Sequence, residues 1–322
     1  MTTTTELREC IDKVEATDEV GFDVVDVTSA PGFKIGRAKD AAIVLLTPFD
    51  AAPEPPTRLQ RVSLDPSALL HVRHLDGTVE EGQWGLVQLN LGELEYLDTF
   101  LSVVANVIDV IGPAPEPGQV SIAMRRLVRL FDPSAAPRSS VLGLWGELLV
   151  LCSVTDAEEM LDSWHSDVDD RFDYAAQGSR LEVKTTTRTQ RKHMFSLEQL
   201  LPVVGATTSV ASVMTTETLA GTSLQQMISD AEELFASDPS RQMRVHEIVA
   251  ATLGAEWYRH VDRAFDAQQA VESLRIFSAL DVPKVESVPA EVTGVTFTAD
   301  CTDVSPDGAP HGLAALVVSQ VE

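Results

Sequence analysis

The sequence has few cysteines and no long apolar run. Its three cysteines, Cys10, Cys152 and Cys301, lie far apart and form no CxxC or Cys/His pattern. This spacing argues against structural zinc and favours reduced thiols in a cytoplasm. No run reaches the roughly 18 apolar residues of a membrane span, and the N-terminal residues lack the apolar core of a signal peptide. We therefore expect a cytoplasmic protein with no membrane partner.

Common catalytic motifs are also absent. The chain contains neither the GxSxG motif of serine hydrolases nor the GxxxxGK[ST] loop of nucleotide-binding proteins. It shows no internal repeat and no low-complexity tract. With 322 residues, of which 44% are hydrophobic, the chain can bury a sizeable core in two domains or in one large domain.

Positive charge is scarce and unevenly placed. The chain has 24 lysines and arginines against 49 aspartates and glutamates, a formal net charge of −25, which would repel a polyanion if it were spread evenly. Between residues 180 and 193, however, several bases accompany a single acid, Glu182. These bases are Arg180, Lys184, Arg188, Arg191 and Lys192. Phosphate binding is therefore expected at this segment, and affinity for nucleic acid would depend on it or on a partner protein.

That basic segment begins inside a predicted hairpin, RFDYAAQGSRLEVKTTT, residues 171–187. Residues 172–174 predict a first strand, residues 177–179 a tight turn, and residues 180–186 a second strand rich in β-branched side chains. Because side chains alternate along a strand, Glu182 and Lys184 share one face, while Leu181 and Val183 point into a core.

The hairpin would also carry Asp173 to the edge occupied by Glu182 and Lys184. Two adjacent carboxylates repel each other unless positive charge lies between them. A hard divalent cation such as Mg²⁺ satisfies them through oxygen ligands, and the lysine can then orient a water beside the metal. We expect the oxygens of Asp173 and Glu182 to lie within about 6 Å of each other.

Upstream and downstream elements complete the predicted core. A helix from about residue 139 to 154 contains Glu147 among leucines, where an acid is costly to bury unless it is paired or coordinated. Glu147 is thus a candidate third carboxylate; the alternatives are that it faces solvent or caps another element. Gly143 and Gly146 would let this helix lie close to the sheet. After the hairpin, Gln199 either positions a phosphate or water or is an exposed helix amide.

These residues resemble the D…(D/E)xK signature of the PD-(D/E)XK nuclease superfamily. The resemblance runs from GLWGELLVL, residues 143–151, through Asp173 and Glu182-Val183-Lys184 to FSLEQL, residues 195–200. This set of motifs is similar to that of a poorly characterised bacterial branch of the superfamily, whose relatives tend to belong to restriction or phage-defence systems. Phe172 stands where the signature has a proline, at a position where the superfamily varies freely.

The resemblance implies an α/β fold with a restriction-endonuclease-like core, in which a mixed central sheet is flanked by helices. We expect a β-rich N-terminal module over residues 1–118 and the nuclease-like domain over residues 119–322.

The resemblance also implies Mg²⁺-dependent hydrolysis of DNA, with Mn²⁺ as a substitute and defence-system proteins as partners. Asp173, Glu182 and the Val183 carbonyl would bind the metal, Lys184 would orient the attacking water, and Glu147 would support a water or a second metal. Arg188, Arg191 and Lys192 would hold the flanking DNA backbone. The competing hypothesis is a non-catalytic subunit that keeps the nuclease fold and binds partners or nucleic acid.

Overall fold

The chain divides into two units, each assembled from separate segments. The computed structural model describes residues 1–15, 21–38, 42–50, 55–58, 62–89, 97–130, 139–164, 171–254 and 257–318. The first unit comprises Met1–Ala136, Ala236–Ala250 and Gly254–Arg259. The second comprises Pro137–Phe235, Ala251–Leu253 and His260–Glu322.

The described residues form strands and helices along the whole chain. In chain order, the strands are β1 (Phe22–Asp26), β2 (Lys34–Ala38), β3 (Ile43–Pro48), β4 (Thr57–Arg58), β5 (Val62–His74), β6 (Val79–Leu89), β7 (Tyr174–Ala176), β8 (Ser179–Thr186), β9 (Lys192–Ser196), β10 (Thr207–Met214), β11 (Glu217–Ser223), β12 (Ala264–Phe265), β13 (Arg275–Ser278) and β14 (Thr296–Asp300). The helices are α1 (Thr4–Asp12), α2 (Leu97–Ile111), α3 (Gln119–Leu130), α4 (Val141–Cys152), α5 (Ala157–Ser163), α6 (Leu197–Leu200), α7 (Leu224–Glu233), α8 (Pro239–Leu253), α9 (Ala267–Ser273) and α10 (Leu313–Leu316). Within the described ranges, every helix is too short or too polar to cross a bilayer.

The first unit is built on a closed β-sheet. Its strands follow the order β1-β2-β3-β6-β5-β4, and a parallel pairing of β1 with β5 closes five of them into a small barrel. Alternating apolar side chains fill one face, with Val44, Leu46, Val72 and Trp84 in the same buried cluster. The predicted β-rich N-terminal module is confirmed.

The first unit extends beyond the boundary expected between residues 118 and 119. The Asp50 carboxylate accepts hydrogen bonds from Gly118 N at 2.7 Å and from Ser121 N and Oγ at 2.9 and 2.7 Å. These bonds fasten the start of α3 to the barrel's own chain. Arg126 on α3 forms two hydrogen bonds to Glu247 on α8, at 2.6 and 2.9 Å. Distant segments thus join this unit through side chains, a relation that sequence patterning does not show.

The second unit contains the predicted mixed sheet. Its four strands follow the order β13-β10-β8-β7. The central pair, β8 and β10, is parallel, and the outer strands pair antiparallel to them. Helix α4 packs against β8 and α9 packs against β10. The α/β fold with a central mixed sheet and flanking helices is confirmed.

A late segment, residues 312–318, fastens two parts of this unit. Leu313 N donates to Ser179 Oγ at 3.0 Å, at the start of β8. Val318 N donates to Ser153 O at 2.8 Å, just beyond α4. Gly312 has a φ of 58° and lies so close to Ser179 that a Cβ would be 2.5 Å from its Oγ, so glycine suits this position.

Candidate active site

The hairpin formed by β7 and β8 is anchored by the side chain of Asp173. Gly178, with a φ of 77°, makes the turn, and Tyr174 pairs with Leu181. The first strand starts at Tyr174, two residues later than predicted. The reason is that Asp173 Oδ2 accepts the hydrogen bond of Val183 N at 2.7 Å, taking the place of a backbone partner.

The backbone of Val183 faces the same edge as Asp173. The N–H and C=O of one residue in a strand point toward the same neighbour. Since the Val183 N–H meets Asp173, the Val183 carbonyl also points toward that edge. The Asp173 carboxylate and the Val183 carbonyl therefore lie at the same edge of β8, and both offer oxygen atoms that can bind a metal ion.

Glu182 directly precedes Val183 on β8, and it is 3% exposed. Its Oε1 is 2.6 Å from Lys184 Nζ and accepts a hydrogen bond from Gln199 Nε2, also at 2.6 Å. Its Oε2 is buried and has no hydrogen-bond partner among the residues that the structure describes. The Lys184 ammonium also lies 5.3 Å from the centre of the Phe195 ring, which favours a cation there. One Glu182 oxygen thus has two hydrogen-bonding neighbours, and the other has none among the described residues.

Glu147 reaches the same place from α4. Gly146 permits this approach, because a Cβ there would lie 1.8 Å from Thr185 Oγ1 on β8. Glu147 is 6% exposed, and its Oε2 accepts the Trp164 Nε1 hydrogen bond at 2.9 Å. It therefore does not face bulk solvent, and within the described residues its side chain bonds to an indole rather than to the end of another element. The second glycine, Gly143, approaches a serine side chain rather than the sheet.

Two stacked aromatic residues, Trp164 and Tyr174, form hydrogen bonds with Glu147. Trp164 stacks on Tyr174 with ring centres 5.8 Å apart, and Tyr174 OH donates to the Glu147 carbonyl at 2.7 Å. One ring therefore contacts the glutamate side chain while the other contacts its backbone. Sequence reasoning missed both residues; a buried polar aromatic needs a partner, but only the fold reveals which one.

Glu147, Asp173, Glu182 and Lys184 line an open cleft of about 730 Å³. Its residues include Glu147, Arg171, Asp173, Glu182, Val183, Lys184, Arg188, Lys192, His193 and Gln199. The sequence pattern gave Arg171 and His193 no role. His193 is buried and forms a 2.7 Å hydrogen bond with Ser212 Oγ. Burial lowers the pKa of His193 to about 4, so its imidazole is neutral near pH 7.

The three carboxyl groups of the cleft all resist ionisation. Burial is the largest cause that raises the pKa of Glu147, Asp173 and Glu182 above their ordinary values. The charge of Asp173 adds to this effect for both glutamates. Lys184 opposes it for all three, and the Val183 N–H opposes it for Asp173. Burial, together with the charge of Asp173 for the two glutamates, therefore outweighs the surrounding donors and the lysine.

The predicted basic cluster does not act as one surface. Arg188 is exposed and lines the cleft, and Lys192 also lines it, with its Nζ 3.7 Å from Asp300 Oδ2. Arg191 is buried instead and donates to Ser212 O at 3.0 Å, to Ser212 Oγ at 2.8 Å and to the Ser273 carbonyl. The expectation that Arg191 contacts DNA is wrong, because its guanidinium is used up inside the fold.

The donor set fits a hard divalent cation. No three His, Cys, Asp or Glu side chains in the described ranges stand together as a metal cluster. Two carboxylates and one backbone carbonyl form a smaller oxygen set, and such sets are typical where an ion keeps several water ligands. Glu182 Oε2 supports this fit, since a buried carboxyl oxygen is costly when, as among the described residues, it has no hydrogen-bond partner.

Comparison with known protein families gives a match over most of the chain. A family described as "Putative PD-(D/E)XK family member, (DUF4420)" matches residues 20–302. No curated protein and no solved structure matches the chain. The matched range covers most of the chain, including all the residues that line the cleft. The chain therefore belongs to this PD-(D/E)XK family.

Proposed function

We propose that the protein is a divalent-metal-dependent nuclease that hydrolyses phosphodiester bonds of DNA. The observation that carries this proposal is the arrangement around Glu182. One oxygen is paired with Lys184 and Gln199, and the other is buried and lacks a hydrogen-bond partner within the described part of the chain. Acid and base thus stand together in an open cleft that also contains exposed basic side chains.

Asp173, Glu182 and the Val183 carbonyl would hold Mg²⁺ or Mn²⁺ through oxygen. The bound ion would polarise the phosphate and neutralise charge on its equatorial oxygens. Lys184 has three N–H donors, of which one serves Glu182. The remaining donors would orient the attacking water and stabilise the developing negative charge.

Glu147 would accept a hydrogen bond from a second water in the cleft. Trp164 fixes Glu147 Oε2 at 2.9 Å, so this carboxyl group has a defined direction. At the rim, Arg171, Arg188 and Lys192 would contact phosphates that flank the cleaved bond. These side chains replace the cluster that included Arg191.

We further propose a cytoplasmic role within a restriction or phage-defence system, together with partner proteins. The free thiols Cys10, Cys152 and Cys301 support a reducing compartment. The net charge of −25 supports a requirement for a partner, since an acidic surface opposes DNA binding outside the cleft.

The test is cleavage of plasmid, single-stranded DNA and RNA by the wild type with Mg²⁺, with Mn²⁺ or with a chelator. Glu182→Gln should abolish metal-dependent DNA cleavage. The matched control is Glu217→Gln, because Glu217 is an exposed glutamate paired with Arg263 at 2.8 Å and does not line the cleft. If wild type and Glu182→Gln are both inactive with every candidate partner, the result favours the hypothesis of a non-catalytic subunit.

A further inference from the structure

Gln199 is held at both ends of its side-chain amide. Its Oε1 accepts from Ser196 N at 3.1 Å, a bond that fixes the first turn of α6. Its Nε2 donates to Glu182 Oε1 at 2.6 Å and to the Arg171 carbonyl at 3.3 Å. Because the oxygen meets a donor and the nitrogen meets two acceptors, the amide has one favourable orientation.

This orientation determines how Glu182 faces the cleft. Lys184 and Gln199 both bind Oε1, so Oε2 is the oxygen left for another partner. A lysine ammonium is a point charge on a flexible stem and fixes a carboxylate poorly by itself. The Gln199 amide, on the short helix α6, donates a second hydrogen bond from another direction. The two contacts together fix the plane of the Glu182 carboxylate.

We infer that Gln199 is a positioning residue, which turns Glu182 so that its Oε2 is directed at the divalent cation. This inference rests on the proposed function and replaces the expectation that Gln199 contacts phosphate or water. A hydrogen-bond partner that orients a metal ligand typically changes metal affinity or activity roughly 10–100-fold when it is removed.

The main test compares Gln199→Met with Gln226→Met. Methionine keeps the length of glutamine without its hydrogen bonds. Gln226 is a matched control, since its Nε2 donates to Asp230 Oδ1 at 2.7 Å on an exposed helix surface. Calorimetric titration with Mn²⁺ should show roughly 10–100-fold weaker binding for Gln199→Met and wild-type binding for Gln226→Met. The Mg²⁺ concentration for half-maximal cleavage should rise in parallel, with the KM for DNA unchanged at saturating metal.

A second variant separates positioning from the stability of α6. Gln199→Glu keeps an acceptor for Ser196 N and replaces the donor to Glu182 with a carboxyl group. Because like charges repel, its Tm should match that of the wild type only at acidic pH, where the new carboxyl group is protonated, while turnover at neutral pH falls. A higher KM for DNA with unchanged metal affinity in Gln199→Met would overturn the inference in favour of a phosphate contact.

Crystal structures of metal-free wild type and Gln199→Met give a readout that does not need activity. Glu182 should turn away from its wild-type orientation in the variant. If it turns while the wild type binds no metal, the positioning role stands and the proposed nuclease function fails. If it does not turn and metal affinity is unchanged, the positioning role fails whether or not the wild type cleaves DNA.

Discussion

At the scale of single residues, the cleft gathers carboxyl groups where few donors can neutralise them. Glu147 has the Trp164 N–H, Asp173 has the Val183 N–H, and Glu182 has Lys184 and Gln199. These hydrogen bonds do not offset burial, and all three pKa values are raised. The free energy of unfolding therefore depends on pH through groups that belong to the candidate active site.

The first prediction concerns this pH dependence. The ordinary pKa values are 4.5 for Glu147 and Glu182 and 3.8 for Asp173, and burial raises that of Glu182 to about 8. Between these limits the folded state binds more protons than the unfolded state, so stability falls as pH rises. The Tm of metal-free protein should decrease from about pH 5 to about pH 8. Saturating Mn²⁺ should reduce the decrease, because a bound cation favours the ionised carboxylates.

Thermal unfolding followed by circular dichroism across this range provides the measurement. The double variant Glu147→Gln, Glu182→Gln should show a shallower decrease, since two of the titrating groups are removed. An identical profile for the variant and the wild type would locate the titration elsewhere.

The second prediction concerns Lys184. Lys184→Ala should fold normally, because Leu181 and Val183 carry the packing of β8, while turnover falls by roughly two orders of magnitude or more. Lys34→Ala is the matched control, because Lys34 Nζ makes an ion pair of the same 2.6 Å length with Asp26 outside the cleft. Single-turnover DNA cleavage with Mg²⁺ measures both variants. Wild-type cleavage by Lys184→Ala would refute the assigned role.

At the scale of elements, the distance between α4 and β8 places Glu147 in the cleft. Gly146 is the point of closest approach, since its Cβ would lie 1.8 Å from Thr185 Oγ1 and 3.0 Å from Thr185 Cβ. Intrinsic helix propensity favours alanine over glycine by about 1 kcal/mol. Overpacking costs about 1–3 kcal/mol, and the clash with Thr185 Cβ cannot be relieved by side-chain rotation alone. The steric effect should therefore exceed the propensity gain.

The third prediction follows from that comparison. Gly146→Ala should lower the free energy of unfolding by up to about 2 kcal/mol and reduce DNA cleavage as Glu147 shifts. Adding Thr185→Ala should restore part of both properties by making room. The control is Gly308→Ala, where a Cβ meets nothing within 4 Å. Urea unfolding and cleavage assays measure the four proteins, and absence of rescue in the double variant would contradict this packing account.

At the scale of the whole molecule, the excess of negative charge would restrict DNA binding to the cleft if the protein has the proposed function. The side chains of Arg171, Arg188 and Lys192 line it and are not consumed inside the fold as Arg191 is. Each phosphate that a basic side chain binds releases counterions. The negative slope of log affinity against log salt concentration becomes steeper by about 0.9 for each such phosphate. The salt dependence thus reports how many of these side chains bind DNA.

The fourth prediction uses this slope. Replacing Arg171, Arg188 and Lys192 with alanine should weaken DNA binding and flatten the slope by up to about 2.7, or about 0.9 for each phosphate that is no longer bound. Replacing Arg263 and Lys284, which do not line the cleft, should leave the slope unchanged. Arg191→Ala should instead lower the Tm, because it leaves buried hydrogen-bond partners unsatisfied. Fluorescence anisotropy at several salt concentrations checks the slope, and equal slopes for all proteins would place DNA elsewhere.

Local patterns were the source of what could be predicted. The turn at Gly178 and the alternation along β8 follow from neighbouring residues, so the sequence predicted the hairpin and the burial of Leu181 and Val183. Contacts between segments that lie far apart in the chain leave no such pattern in the sequence. The Trp164 bond to Glu147 and the burial of Arg191 depend on elements that meet only in the folded chain. The same reason explains why the first unit extends past residue 118.

The segment 312–318 has a consequence for the timing of folding during synthesis. It holds Ser179 at the start of β8 and Ser153 beyond α4, yet it is translated after all the strands and helices that it fastens. A nascent chain still lacks these bonds when the cleft residues have already left the ribosome. The barrel strands β1–β6 precede the cleft residues in the chain and can form first. A nuclease of the proposed kind would therefore reach its final cleft geometry only after translation has passed this segment.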